Sequence, residues 1–361
     1  METTHKFSFW DYDMAGRSRS RLAFFLPILF FLACKGDPVT PPAPETPFRA
    51  FYHWQTEFKL DSLERDWLNA TGADRIYVKF FDLDRDAGGK DIIPLASVQM
   101  DTTGLQGRRV IPTIFITNRS MLQLPPAEIP QLAGRITEKI DRQFAGLGQP
   151  LRELQLDCDW TPQSRETYFA LLEALKKNYA GREVRLSTTI RLHQLRYPEQ
   201  TGVPPVDRGV LMFYNMGNLT EWSEPNSILN LEKAAAYLPD GLQYPLHLDL
   251  ALPIFRWAVL FRDGKMIKLI NEPTDSLLQQ PQKLEPTQPG RYRVLENHYL
   301  DGYYLYRGDQ LRVEAVSTEA LRAAYELVKR QYPDAARSLI FYHLDRQVLD
   351  RYRPADLKGL N

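Results

Sequence analysis

Asp157 and Asp159 stand two residues apart in the run Leu154-Gln155-Leu156-Asp157-Cys158-Asp159-Trp160, so a strand through them sends both carboxylates to one face. Paired carboxylates suit general acid–base chemistry or the hydrogen bonding of a polyol. A glycosidase needs two carboxyl groups roughly 5–10 Å apart across the scissile bond, one of them with a raised pKa. Asp159 with Glu57 or Asp249 is the pair expected to supply them. Sugar hydroxyls call for planar hydrogen-bonding partners, and sugar ring faces call for aromatic platforms. Asp157, Gln55, Asn215 and His193 are the expected hydrogen-bonding residues, and Trp54, Trp160, Tyr214 and Trp257 the expected platforms.

Other chemistries find little support. His247 and Asp249 share one strand face, as do Asp157 and Asp159, yet no ligand spacing is tight enough to specify an ion, so neither metal nor cofactor is expected. The chain has no glycine-rich phosphate loop and no nucleophile-elbow serine, which removes the common nucleotide and acyl-transfer readings. Its 45 lysines and arginines balance 45 aspartates and glutamates, so no global field selects nucleic acid. Of the two cysteines, Cys158 lies in an apolar strand and reads as a small core residue.

These side chains need a scaffold that brings distant segments together. Eight strands are predicted at 49–57, 75–81, 110–117, 153–159, 184–191, 210–216, 246–252 and 338–345, with helices between several of them, clearest at 163–178 and at 318–331 behind a Ser317 cap. Eight strands alternating with helices is the count of a (β/α)8 barrel of TIM type, an α/β fold. An excess at about 258–316, with strand-like pieces at 258–270, 291–296 and 303–316, predicts a small β-rich insertion between strands seven and eight. The barrel strands alternate rather than reading as continuous apolar runs. Leu154, Leu156 and Cys158 oppose Gln155, Asp157 and Asp159; Leu246, Leu248 and Leu250 oppose His247 and Asp249. If the apolar set meets the helices, the polar set fills the barrel, and buried charges need partners. A network of Lys79, Arg185, Asp157 and Asp249 is therefore expected. The strand ends would gather the candidate residues in one mouth, with Asp82, Asp84, Asn118, Arg119, Arg191, His343 and Asp345 nearby.

The segments Leu156-Asp157-Cys158-Asp159-Trp160, Leu211-Met212-Phe213-Tyr214-Asn215 and Leu250-Ala251-Leu252-Pro253-Ile254-Phe255 resemble, in order, the barrel motifs of family 18 chitinase-like glycoside hydrolases. Leu-Asp-Cys-Asp-Trp-Thr, followed by a helix and Leu186-Ser187-Thr188-Thr189, also resembles an uncharacterised family of bacterial barrels. The resemblance would cover residues 48–345 and implies a glycan-binding mouth. Asp157 and Asp159 match two acids of the strand-four motif and Tyr214 matches the strand-six tyrosine. The motif's first aspartate corresponds to Leu154, and its catalytic acid to Thr161, which cannot protonate a glycosidic oxygen. Two readings stay open: a glycosidase that has moved its acid, or a barrel that binds glycan or docks a protein without catalysis.

The N-terminus reads as an export signal. Arg17, Arg19 and Arg21 precede an apolar run at 22–33, shorter than the ~20 residues of a spanning helix. Phe31-Leu32-Ala33-Cys34 resembles a bacterial lipobox, which implies cleavage after residue 33 and lipid on Cys34; Met14 offers a more ordinary signal start. Residues 34–47, with five prolines from 37 onward, would form an extended tether to a barrel domain at 48–361. Lys35 in place of an aspartate favours an outer-membrane anchor. The expected protein is a lipid-anchored envelope protein with a glycan partner, no nucleic-acid partner, and an insertion that offers a surface to another protein.

Overall fold

The computed structural model describes residues 46–360. The signal, Cys34 and nearly all of the tether lie outside them. Among the described residues no helix is long and apolar enough to cross a membrane.

Aromatic and β-branched runs become strands where turns interrupt them. In chain order these are β1 (Arg49–His53), β2 (Arg75–Arg85), β3 (Arg109–Ile116), β4 (Glu153–Cys158), β5 (Arg185–Arg191), β6 (Arg208–Met212) and β7 (Leu248–Pro253). The insertion then contributes β8 (Arg256–Arg262), β9 (Lys265–Asn271), β10 (Leu284–Gln288), β11 (Arg291–Val294), β12 (His298–Leu300), β13 (Tyr303–Leu305) and β14 (Gln310–Ala315). The chain returns to the barrel as β15 (Leu339–Tyr342). Strands β1 to β7 pair in parallel in sequence order, and β15 pairs with both β7 and β1. That closes the eight-stranded barrel predicted from the sequence.

The helices cover the outside with one apolar face each. In α1 (Ser62–Thr71) Asp61 and Glu64 form a capping box; α2 (Ile129–Ala145) buries Leu132, Ile136, Ile140 and Phe144 at helical spacing; α3 (Arg165–Asn178) follows β4. In α4 (Thr318–Gln331) the Ser317 side chain accepts from Ala320 N, as the sequence predicted. The insertion is an antiparallel sheet ordered β9-β8-β14-β11-β10, with β12 and β13 as a separate hairpin. It has its own small core of Leu260, Ile270, Leu284, Leu300, Leu305 and Leu311.

The alternation predicted for the barrel strands holds. Leu154, Leu156 and Cys158 are buried against the helical layer, while Gln155 on the other face accepts from Tyr52 of β1 at 2.8 Å and from Thr113 of β3 at 3.3 Å. The expected charge network does not form as drawn. Arg185 is exposed at the start of its strand. At the N-terminal end of the barrel, Arg208 donates to Asp249 at 2.6 Å, and the rings and charges of Phe48, Arg75, Tyr77 and Glu153 complete that layer. Asp157 turns instead to Arg191 at the other end, and Lys79 to Asp82. The reason is distance along the strand: Asp249 is the second residue of β7 and Asp157 the fifth of β4, so one partner cannot serve both.

Candidate functional site

Strand β4 ends on Asp157 and Cys158, which brings Asp157 and Asp159 to the mouth beside the last residue of β5, Arg191. The Arg191 guanidinium lies 3.6 Å from Asp157 and 3.9 Å from Asp159; its side chain is 20% exposed and that of Asp159 56%. Thr189 donates to Asp157 at 2.6 Å. Burial pushes the Asp157 carboxyl above its usual range, and Arg191 and Thr189 pull it partly back. Burial works against the Arg191 charge, yet the two aspartates hold its pKa above the ordinary value. His193, at the start of the next helical turn, is held below the ordinary imidazole value by burial and Arg191, with Asp159 opposing.

An aromatic cluster packs at the mouth; Trp54 and Tyr342 are part-exposed, whereas Tyr52, Tyr214 and Phe255 are buried, so Tyr214 offers no open platform. Tyr342, the last residue of β15, stands 5.7 Å from Trp54, 5.6 Å from Tyr214, 5.8 Å from Tyr52 and 5.6 Å from Phe255, centroid to centroid. The Lys79 ammonium sits 6.0 Å over the Trp54 ring and 3.2 Å from Asp82. A register shift between Lys79 and Phe81 changes the alternation of β2, which is how two residues three apart come to share the interior. Asn215 occupies the left-handed region at φ 57°, and its buried Oδ1 accepts no hydrogen bond.

The other predicted residues take different places. Trp160 is fully buried; its indole donates to the Thr201 carbonyl at 2.9 Å and its ring stacks on Tyr168 of α3, so it packs behind the barrel and offers no platform. Trp257 is also buried, donating to Glu314 at 2.9 Å. Strand β1 ends at His53, so Glu57 is not on it. Glu57 lies exposed on a short ladder with Gln99, beyond the end of β1. Asp249 is buried with Arg208 at the opposite end of the barrel, which removes it from the mouth; His247 lies 3.5 Å from it. Gln55 hydrogen-bonds Asp345 at the rim. Thr161, at the position of the resemblance's acid, sits in a turn where its backbone N–H donates to Ser164 at 3.0 Å. Asp84 holds Arg119 through two hydrogen bonds of 2.6 and 2.5 Å. Among the described residues no group of three or more His, Cys, Asp or Glu side chains converges as a metal-ligand set.

The structure thus gathers Asp157, Asp159, Trp54, Tyr214, Asn215 and His193, and leaves Trp160, Trp257, Glu57 and Asp249 elsewhere. Sequence reasoning passed over Tyr342, the ring that touches the most others in the mouth. The signal was present: Tyr342 shares its strand face with Ile340 and alternates with Phe341 at the end of strand eight, where inward residues face the site.

No family model matches the sequence, and no curated protein does. Solved structures share the fold. The Bacillus cereus spore cortex-lytic enzyme SleL is 14% identical, over 87% of this chain and 74% of that one, with a TM-score of 0.50. A chitinase from Chromobacterium violaceum ATCC 12472 is 9% identical, over 87% and 99%, at 0.51. The Ostrinia furnacalis Group II chitinase catalytic domain 2, solved as a mutant in complex with penta-N-acetylchitooctaose, is 12% identical, over 88% and 95%, at 0.50. At these identities the likeness establishes the fold, a (β/α)8 barrel.

Proposed function

We propose that this chain is a lipid-anchored envelope protein, tethered through Cys34 to a bacterial outer membrane, whose barrel mouth holds a glycan without hydrolysing it. The observation that carries the non-hydrolytic reading is Arg191, standing between the two aspartates of the mouth while Thr161 occupies the acid's position. A glycosidase acid is a carboxyl enclosed by apolar surface. Asp159 is more than half exposed and faces a guanidinium; Asp157 is enclosed but engaged by Thr189 and Arg191. Of the partners a displaced mechanism would need, Asp249 is buried with Arg208 at the opposite end of the barrel, and Glu57 is solvent-exposed beyond the end of β1, without apolar enclosure. Glycan binding is supported by the part-exposed Trp54 and Tyr342 rings at the mouth, beside the Asp157–Arg191–Asp159 cluster, and by the chito-oligosaccharide bound in a structural neighbour.

The test is a binding and hydrolysis screen of the full-length chain against a glycan panel that includes chito-oligosaccharides and cell-wall fragments. The expected result is binding without new reducing ends, weakened about tenfold or more by Trp54→Ala, the loss of roughly one stacked ring. Cleavage that disappears in Asp159→Asn would overturn the non-hydrolytic reading, and binding to none of the glycans would overturn the glycan reading. Thr161→Glu asks separately whether a restored acid is enough to start hydrolysis.

A further inference from the structure

The end of the barrel opposite the mouth is a basic surface. Backbone hydrogen bonds link the points where strands begin: Leu339 N donates to the Phe48 carbonyl at 3.0 Å, Asp74 N to Arg49 at 3.2 Å, Arg109 N to Asp74 at 3.0 Å and Arg185 N to Arg152 at 2.9 Å. The segments that reach this ring are rich in cations. Arg109, Arg152, Arg182 and Lys176 are exposed and form surface ion pairs with Asp74, Glu183, Asp141 and Asp207. Arg108 donates to the Ala73 and Leu105 carbonyls and to Asn69, neutral groups that do not offset its charge. Arg142, Lys177, Arg330, Arg337 and Lys358 are exposed at the same end, against Asp240 and Asp334 as the further exposed acids of the connections. Complementing the helix dipole accounts for cations in the last turns of α2, α3 and α4, but Arg108, Arg185 and Arg337 stand outside those turns. The chain as a whole is neutral, and acid accumulates toward the mouth, as at Asp84, Asp86, Asp157, Asp159, Glu221 and Glu224.

The point where the chain enters the barrel selects the occupant. Pro47 and Phe48 precede β1, so the chain arrives at the basic end, where the Phe48 ring packs under Arg75 and Arg208. Residues 34–47 separate that point from the proposed lipid on Cys34, and a proline-rich chain at about 3.1 Å per residue spans about 40 Å over that length. The leaflet that holds the lipid is therefore within reach of this end. Anionic headgroups attract clustered Lys and Arg within about a Debye length and repel an acidic mouth. We propose that the basic end of the barrel docks on the anionic phospholipid headgroups of that leaflet, which turns the mouth away from the bilayer and toward a glycan polymer. This rests on the lipid-anchor reading of Cys34.

The mature protein, produced from the full-length chain, is placed on vesicles of phosphatidylcholine alone and of phosphatidylcholine with phosphatidylglycerol, and lysine acetylation is followed by mass spectrometry. Lys177 and Lys358 report on the basic end; Lys59 and Lys90, also exposed, report on the mouth side. On the anionic vesicles Lys177 and Lys358 are expected to react about threefold or more slowly than on neutral ones, with Lys59 and Lys90 unchanged and the protection falling at high salt. Arg330→Glu/Arg337→Glu should remove that protection, whereas Lys59→Glu/Lys90→Glu, the same change of charge, should leave it. All four side chains are exposed, so thermal melts of both variants should stay close to that of the unsubstituted chain. Equal rates on the two vesicles, protection of Lys59 and Lys90 instead, or equal loss of protection in both variants overturns the proposal. The intact mass of the mature chain decides the anchor separately. If Cys34 carries no lipid, flotation of that same protein reads the basic end alone. Binding to the anionic vesicles that Arg330→Glu/Arg337→Glu loses keeps it as a membrane surface; no binding, or binding that survives in the variant, removes it along with the anchor.

Discussion

The Arg191 guanidinium lies 3.6 Å from the Asp157 carboxylate, on the last residue of one barrel strand and the fifth of its neighbour, where the Asp157 side chain is 5% exposed. Removing one member of such a pair leaves an uncompensated buried charge, which costs about 3–5 kcal/mol, whereas removing both costs far less. Arg191→Met should lower the urea midpoint sharply, and adding Asp157→Asn should recover much of the loss. Strictly additive effects in the double-mutant cycle would show that the two are not coupled.

The Arg208–Asp249 pair gives the complementary expectation. It is fully buried at the barrel end away from the mouth. Asp249→Ala should destabilise by about 3–5 kcal/mol, yet leave the glycan affinity of the folded protein unchanged. A variant that folds well but no longer binds glycan would return Asp249 to the site.

Two buried groups near the end of β1 oppose one another in pH. Burial, with His343 beside it, holds the His53 imidazole down at about 4 against the usual 6.5. The unfolded chain then binds more protons between those values, so the His53 contribution is present above pH 6.5 and lost as pH falls toward 4. Burial lifts Glu64 to about 7 from the usual 4.5, so its contribution is present below pH 4.5 and lost as pH rises through 7. Between 4.5 and 6.5 the two slopes offset. Glu64→Gln should therefore expose a loss of up to about 3 kcal/mol on acidification across that window, and His53→Gln should reverse the sign. Urea unfolding at pH 7.0, 5.5 and 4.5 reads both.

Glu314 ties the insertion to the long loop after β6. It accepts from Ser227 N at 2.7 Å, Ser227 Oγ and Arg312 Nε at 2.5 Å each, and Trp257 Nε1 at 2.9 Å. Glu314→Ala strands the buried Arg312 charge and should cost about 3–5 kcal/mol. Hydrogen exchange should rise in residues 217–229, which Arg312 and Arg291 also hold through the Leu219 and Glu224 carbonyls. Unchanged exchange in that loop would mean that its anchoring lies elsewhere.

Much of the scaffold was legible in the sequence because it depends on local pattern. Aromatic-rich and β-branched runs placed all eight barrel strands, period-two alternation assigned the faces of several, and the excess of strand-like pieces placed the insertion. The site was legible only in part. Asp157, Asp159 and Tyr214 were placed at the C-terminal ends of their strands because each lies at or just past the end of a recognisable strand. Trp160 was misplaced because alternation ends with the strand: one residue past Cys158 the chain turns, and the indole goes under α3. Glu57 was misplaced for a similar reason, since β1 stops four residues before it.

By itself the sequence determined the eight-strand count, the polar filling of the barrel, the site of the insertion and the threonine at the acid's position. Each depends on side-chain type and spacing along one segment. The tertiary structure alone decided which charges meet, because barrel closure and the register shift in β2 bring together residues that no local rule relates. Arg191 came to lie between Asp157 and Asp159, Arg208 took Asp249, and Tyr342 closed the ring of aromatics beside Trp54. Pairing of buried charges is governed by depth along the strands and distance across the barrel, and those quantities exist only once the sheet has closed.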